Sequence, residues 1–157
     1  MVSWDDFYIF DQQAEQQRWH WNGAAWSKQA VNARSTLAAF KAFAPNDMWA
    51  LGWTMSDWKA EAFHFDGVTW KPVPTPPGFS VQQVTGVSGR DLWVMGTATK
   101  TYDTVAYHWN GTVSKAATLP SSDNDNDSGG GASAAVTVSA KEIYAFGGPG
   151  RRRSGLR

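Results

Sequence analysis

Apolar residues come in short blocks separated by turn-forming clusters. Leu37 to Phe43 is apolar and strand-like, and Ala44-Pro45-Asn46-Asp47 is a turn cluster. Met48 to Trp53 is a second strand, too continuously apolar for a ribbon with one wet face, so both its faces are expected to be covered. A polar connection runs from Thr54 to Lys59, followed by a third strand, Ala60 to Phe65, and a fourth, Val68 to Val73. Asp66-Gly67 between the last two predicts a tight hairpin. A type I′ turn needs positive φ at both central residues, which Asp-Gly and Asn-Gly tolerate best.

The same pattern recurs. His20, His64 and His108 stand 44 residues apart, and each opens the phrase His-aromatic-Asn/Asp-Gly, which ends on Gly23, Gly67 and Gly111. A second phrase keeps step. Asp47-Met-Trp49-Ala-Leu-Gly52 returns as Asp91-Leu-Trp93-Val-Met-Gly96 after 44 residues, and as Glu142-Ile-Tyr144-Ala-Phe-Gly147 after 51. A worn copy, Asp6-Phe-Tyr-Ile-Phe-Asp11, stands near the start. Self-similarity at such a period marks a repeat architecture. These histidines, glycines and aromatics are therefore read as structural repeat positions.

Four short strands per repeat is the pattern of a β-propeller blade. The expected fold is all-β: a partial propeller of four-stranded antiparallel blades, about three and a quarter of them. Its parts are an incomplete first blade (1–33), a second (35–77), a third (79–120), an Asp/Asn/Ser/Gly-rich loop (121–133), a partial fourth blade (134–148) and a basic tail (149–157). Closed propellers need at least about four blades. Three arrangements account for the shortfall: further blades from a longer parent chain, a homodimer in which two chains complete one ring, or a small self-contained β-fold. End units of a repeat stack leave apolar faces bare unless capped, which favours the fragment.

Glu142-Ile-Tyr-Ala-Phe-Gly-Gly148 resembles the second strand of a kelch repeat, as in galactose-oxidase-type propellers, and Trp26 and Trp70 fit the same pattern. Only one copy in four carries the glycine pair. Asp66-Gly-Val-Thr-Trp70 is similar to the tail of the Asp-box of sialidase-like propellers, without the residue the Asp-box puts between Asp and Gly. Degenerate tryptophan-rich repeats of this kind occur in bacterial propeller proteins. The resemblance implies an extracellular or cell-surface setting, and a fold rather than an activity.

Composition narrows the function classes. The 157 residues carry 14 basic and 14 acidic side chains, a net charge of zero, so nothing draws the chain to nucleic acid. No apolar run reaches the roughly 18 residues of a membrane span. There is no cysteine, which excludes thiolate chemistry. The ten tryptophans suit the spaces between packed sheets.

Catalytic patterns are thin. There is no nucleophile elbow, phosphate loop or zinc-protease histidine pair. The three histidines occupy equivalent positions on successive repeats, which fan apart where metal ligands must converge. Of seven arginines, four lie after residue 150, too few elsewhere for a sialidase-like carboxylate clamp. Asp123, Asp125 and Asp127 alternate like a calcium loop, but Ser128 replaces the sixth-position glycine and Ala134 the bidentate glutamate. No cofactor, metal or catalytic residue is assigned.

In up-and-down blades alternate connections share a face. The longer connections 11–18, 54–59 and 98–103 gather on one side, where binding residues concentrate on a rigid scaffold. Asp57, Trp58, Lys59, Lys100, Tyr102 and Asp103 are the candidate ligand-binding residues. Trp58, a large ring in a polar loop, is the expected anchor. The alternative is that it folds back onto the blade rim. The expected function is a non-catalytic scaffold binding a protein or glycan. The competing reading is a piece of a propeller enzyme, glycoside-hydrolase or galactose-oxidase type, whose catalytic residues lie elsewhere.

Overall fold

The computed structural model describes residues 7–10, 17–31, 35–54, 56–101, 103–112, 114–117 and 132–147. Among them all regular structure is β. The strands are β1 (Phe7–Phe10), β2 (Gln17–Trp21), β3 (Trp26–Ala30), β4 (Ser35–Ala44), β5 (Asp47–Thr54), β6 (Ala60–Phe65) and β7 (Trp70–Val73). They continue as β8 (Phe79–Ser88), β9 (Asp91–Ala98), β10 (Thr104–Trp109), β11 (Ser114–Ala117), β12 (Ala132–Ser139) and β13 (Glu142–Gly147). Each pairs antiparallel with its neighbour in sequence, giving open sheets of three, four, four and two strands: β1-β2-β3, β4-β5-β6-β7, β8-β9-β10-β11 and β12-β13.

Register repeats down to single residues. Trp49 lies opposite His64 and Trp93 opposite His108, and in the first sheet Tyr8 lies opposite His20. The opening strands β4 and β8 carry irregularities at matching places, between Leu37/Ala39 and Ala42/Ala44 in one and Val81/Gln83 and Gly86/Ser88 in the other. Gly52 and Gly96 sit opposite the first of these. A side chain there would fall on the carbonyl oxygen of Thr36 or Ser80, so the close approach of the two backbones demands glycine.

The hairpin expectation needs correcting. Gly23, Gly67 and Gly111 have φ of 89°, 96° and 94°, but the residue before each keeps negative φ, so the turns are not type I′. Each aspartate or asparagine side chain accepts backbone N–H groups ahead of it. Asp66 Oδ1 takes those of Val68 (3.0 Å) and Thr69 (2.9 Å), and Asn22 Oδ1 those of Ala24 (3.0 Å) and Ala25 (2.8 Å). Such an Asx turn lengthens the loop. The fourth strand therefore starts at Trp70 rather than Val68, and Val68 is 77% exposed.

Packing explains the continuous apolar runs. Trp49 and Leu51, with Ala60 and Ala62, pack against Phe79, Val81, Val84, Leu92 and Val94 of the third sheet. Ala50 points the other way, into a cluster with Leu37 and Val31 beside the first sheet. Arg18 of β2 also reaches the second sheet, with Nη1 3.1 Å from the Met48 sulfur and its guanidinium 4.3 Å from the Phe65 ring centre. Met95 and Trp93 pack towards Ala135 and Ile143 of the fourth sheet. Successive residues of β5 and β9 thus serve opposite neighbours, and both faces of these strands are inside. The opening strands of consecutive sheets adjoin, β8 lying between β4 and β12. Thr85 and Thr137 hydroxyls meet there at 2.8 Å.

Candidate functional site

Two constellations carry polar chemistry. The first is built twice. His64 Nε2 lies 2.9 Å from Asp47 Oδ1, with Trp49 tilted against the imidazole at 5.0 Å. His108 Nε2 lies 2.7 Å from Asp91 Oδ1, stacked on Trp93 at 4.6 Å. Each aspartate begins a second strand and each histidine sits on the third, so the antiparallel register alone brings them together. The first sheet preserves the aromatic half, with Tyr8 and His20 stacked at 4.2 Å. In the fourth, Glu142 accepts a hydrogen bond from Tyr144 Oη at 2.6 Å, which raises the phenol's pKa above its ordinary value.

Asp47 does one thing more. Its Oδ2 accepts the N–H of Gly89 at 3.1 Å, tying the second sheet to the β8–β9 turn of the third. A side chain at 89 would run into that carboxylate. The matching position in the next turn is Ala140, and among the described residues Asp91 makes no equivalent bond to it. The sequence pattern alone pairs the acids with neither partner. The equal spacing of Asp47 to His64 and Asp91 to His108, 17 residues each, was the available signal.

The second constellation is the loop between β5 and β6. Thr54 N–H donates to the Lys59 carbonyl (3.0 Å), and Trp58 N–H donates to the Thr54 carbonyl (3.1 Å). Thr54 Oγ1 donates to Asp57 Oδ1, and Lys59 N–H reaches Thr54 Oγ1 at 3.2 Å. The Thr54 hydroxyl first, then the Lys59 N–H, holds the Asp57 carboxyl below the usual carboxylate range. This net keeps Trp58 at φ 57°, which no other non-glycine residue adopts among those described. A bulky residue held there stores about 1–2 kcal/mol of backbone strain. The Trp58 ring stays 54% exposed while lying nearly parallel to Trp53, 6.0 Å between centres and 18° between planes.

Of the six ligand-site candidates, the structure thus gathers Asp57, Trp58 and Lys59 in one hydrogen-bonded loop, backed by Trp53 of the preceding strand and by Thr54, a residue of the same connection that the sequence did not single out. Lys100 and Asp103 are exposed on the equivalent hairpin of the third sheet, closed by the Ala98 N–H to Asp103 carbonyl bond at 2.8 Å. Tyr102 lies outside the described residues, as do Asp123, Asp125 and Asp127. Among the described residues no three histidine or acidic side chains cluster in a way that could hold a metal ion. None forms a helix long and apolar enough to cross a membrane. An apolar recess between the second and third sheets, lined by Trp49, Phe79, Tyr107 and Trp109, holds about 20 Å³. A single water needs about 10–15 Å³ of such space, so the recess has room for about one water and is packing space rather than a ligand chamber. No protein-family model matches the chain, and no curated protein matches it.

Proposed function

We propose that this chain is a stretch of β-propeller acting as a non-catalytic binding scaffold, which presents the β5–β6 and β9–β10 loops to a protein or glycan. Four-stranded antiparallel sheets in simple sequence order, with their opening strands adjoining, support the radial stacking. The repeated Asp–His–Trp sets are then braces, since the same group built on successive sheets serves the repeat. The observation that carries the binding role is Trp58: a large ring, half exposed, whose backbone is pinned by Thr54, Asp57 and Lys59 and whose back rests on Trp53. A rigid, pre-oriented aromatic loses little entropy on contact, and sugar rings and apolar side chains both stack on such a plane.

The test is a glycan and peptide array probed with the wild-type chain and with Trp58→Ala. Binding that is lost in the variant while its melting temperature stays within a few degrees supports the reading. Binding that survives Trp58→Ala sinks it. The chain by itself is also expected to show no glycoside hydrolysis. Turnover abolished by a substitution within it would make it an enzyme.

A further inference from the structure

The β5–β6 loop is an apolar island one aromatic residue wide inside a rim of hydrogen-bonding groups. Trp58 is 54% exposed, and Ser56, Asp57 and Lys59 around it are exposed as well. Trp53 lies nearly parallel to the Trp58 ring at 6.0 Å, so one face of the indole is backed while more than half of the residue meets solvent. The net that holds Trp58 at φ 57° fixes the plane before any ligand arrives.

Only part of the rim is used within the loop. Asp57 Oδ1 takes the Thr54 hydroxyl and the Lys59 N–H (3.4 Å), with Ser56 Oγ at 3.5 Å. Among the described residues Asp57 Oδ2 accepts no hydrogen bond, and Lys59 Nζ makes neither a hydrogen bond nor an ion pair. One strong acceptor and one strong donor therefore flank the ring. Their opposite charges cancel and leave no net field to select an ionic ligand.

Size separates the two partners that such a loop could take. A specific protein partner covers roughly 800 Å² of each surface around an apolar core. Among the described residues of the 54–59 and 98–103 hairpins, Trp58 is the one exposed large apolar side chain. Thr99, Lys100, Thr101 and Asp103 are exposed and polar. A whole aromatic side chain buries only about 150–250 Å², far short of such a core but enough for one six-membered ring. A pyranose matches both parts of the loop. Its C–H bonds form an apolar face that suits the electron-rich face of an indole, and its hydroxyls stand round the edge, able to donate to a carboxylate or accept from an ammonium.

We infer that the Trp58 loop binds a neutral pyranose unit of a glycan, one C–H face of the sugar lying on Trp58 and its hydroxyls meeting Asp57 Oδ2 and Lys59 Nζ. This rests on the loop reading proposed above and narrows it to one ligand class.

NMR titration of the full chain tests it, with the β-1,4-linked hexasaccharides of glucose, mannose and N-acetylglucosamine as neutral probes and hexagalacturonate as the acidic one. The Trp58 indole N–H peak is identified by its loss in Trp58→Ala. At least one neutral probe should shift that peak with a dissociation constant of about 0.1–1 mM, and its ring protons should move upfield, as stacking requires. Trp58→Ala should weaken binding about tenfold or more, Trp58→Phe only a few-fold, and Asp57→Asn about fivefold, the equivalent of one hydrogen bond. No response to any neutral probe at about 10 mM, binding that survives Trp58→Ala, or tighter binding of hexagalacturonate overturns the inference. A peptide that needs Trp58 while every neutral sugar fails leaves the loop reading standing and removes this one. Failure of sugars and peptides alike removes both.

Discussion

Removing the Asp47 carboxylate isolates the link between neighbouring sheets. Asp47→Ala deletes two hydrogen bonds, to His64 and to the Gly89 N–H. A bond to a charged partner is worth about 1.5–3 kcal/mol when buried, but His64 and Asp47 are each about one-third exposed (32% and 30%), so about 1 kcal/mol is assigned. The Gly89 N–H, partly buried and left without its acceptor, adds about another 1 kcal/mol. Asp91→Ala loses the equivalent histidine contact alone, since among the described residues Asp91 has no bond to the following turn, and should cost about 1 kcal/mol. In urea titrations Asp47→Ala should therefore lose about twice what Asp91→Ala loses. At this chain length the melting temperature falls about 2–4 °C per kcal/mol. Gly89→Ala, which pushes a methyl group at the Asp47 carboxylate, should destabilise wild type and do much less harm in the Asp47→Ala background. Equal losses for the two aspartates, or additive losses for Asp47→Ala and Gly89→Ala, would refute the inter-sheet bridge.

Other outcomes follow from the same geometry. Gly52→Ala drives a Cβ onto the Thr36 carbonyl and should cost about 1–3 kcal/mol by chemical denaturation, with Gly96→Ala matching it. Phe79→Ala, at 1% exposure in the central cluster, should cost about 3–5 kcal/mol, against about 1 for Trp58→Ala, which loses one stacked ring contact. The Asp66 carboxylate is held well below the ordinary range by Lys71 Nζ at 2.6 Å and then by the Thr69 and Val68 N–H groups. A folded-state pKa below the unfolded value of about 3.9 means the stabilisation is complete above that value and is lost as pH falls through the folded pKa. Asp66→Asn keeps an oxygen for the turn but loses the attraction to Lys71, so its deficit in thermal scans should be largest at neutral pH and shrink in acid.

What was legible in the sequence was whatever repeats or alternates. The 44-residue spacing of His20, His64 and His108 foretold matching registers, and the double-sided apolar run 48–53 foretold a strand covered on both faces. Less legible was anything set by the third dimension. Val68 reads as strand by its branched side chain, but the Asp66 carboxylate captures the backbone ahead of it and keeps it in the turn. Pairing of Asp47 with His64 needs the register between β5 and β6, and its bond to Gly89 needs the stacking of two sheets. The left-handed backbone of Trp58 could not be foreseen, because Trp ordinarily avoids that region and only the Thr54–Asp57–Lys59 net holds it there.

Enclosure of β5 and β9 on both sides has an evolutionary corollary. Strands sealed above and below leave no room for trial and error, since any enlarged, shortened or charged residue in them disturbs two neighbours at once. The described residues of the hairpins leaving their ends, 54–59 and 98–103, are mostly exposed and freer to drift. Selection acting on such a molecule can rewrite its specificity one hairpin at a time while its frame stays unchanged, and duplicating a repeat supplies a fresh hairpin with the frame already made.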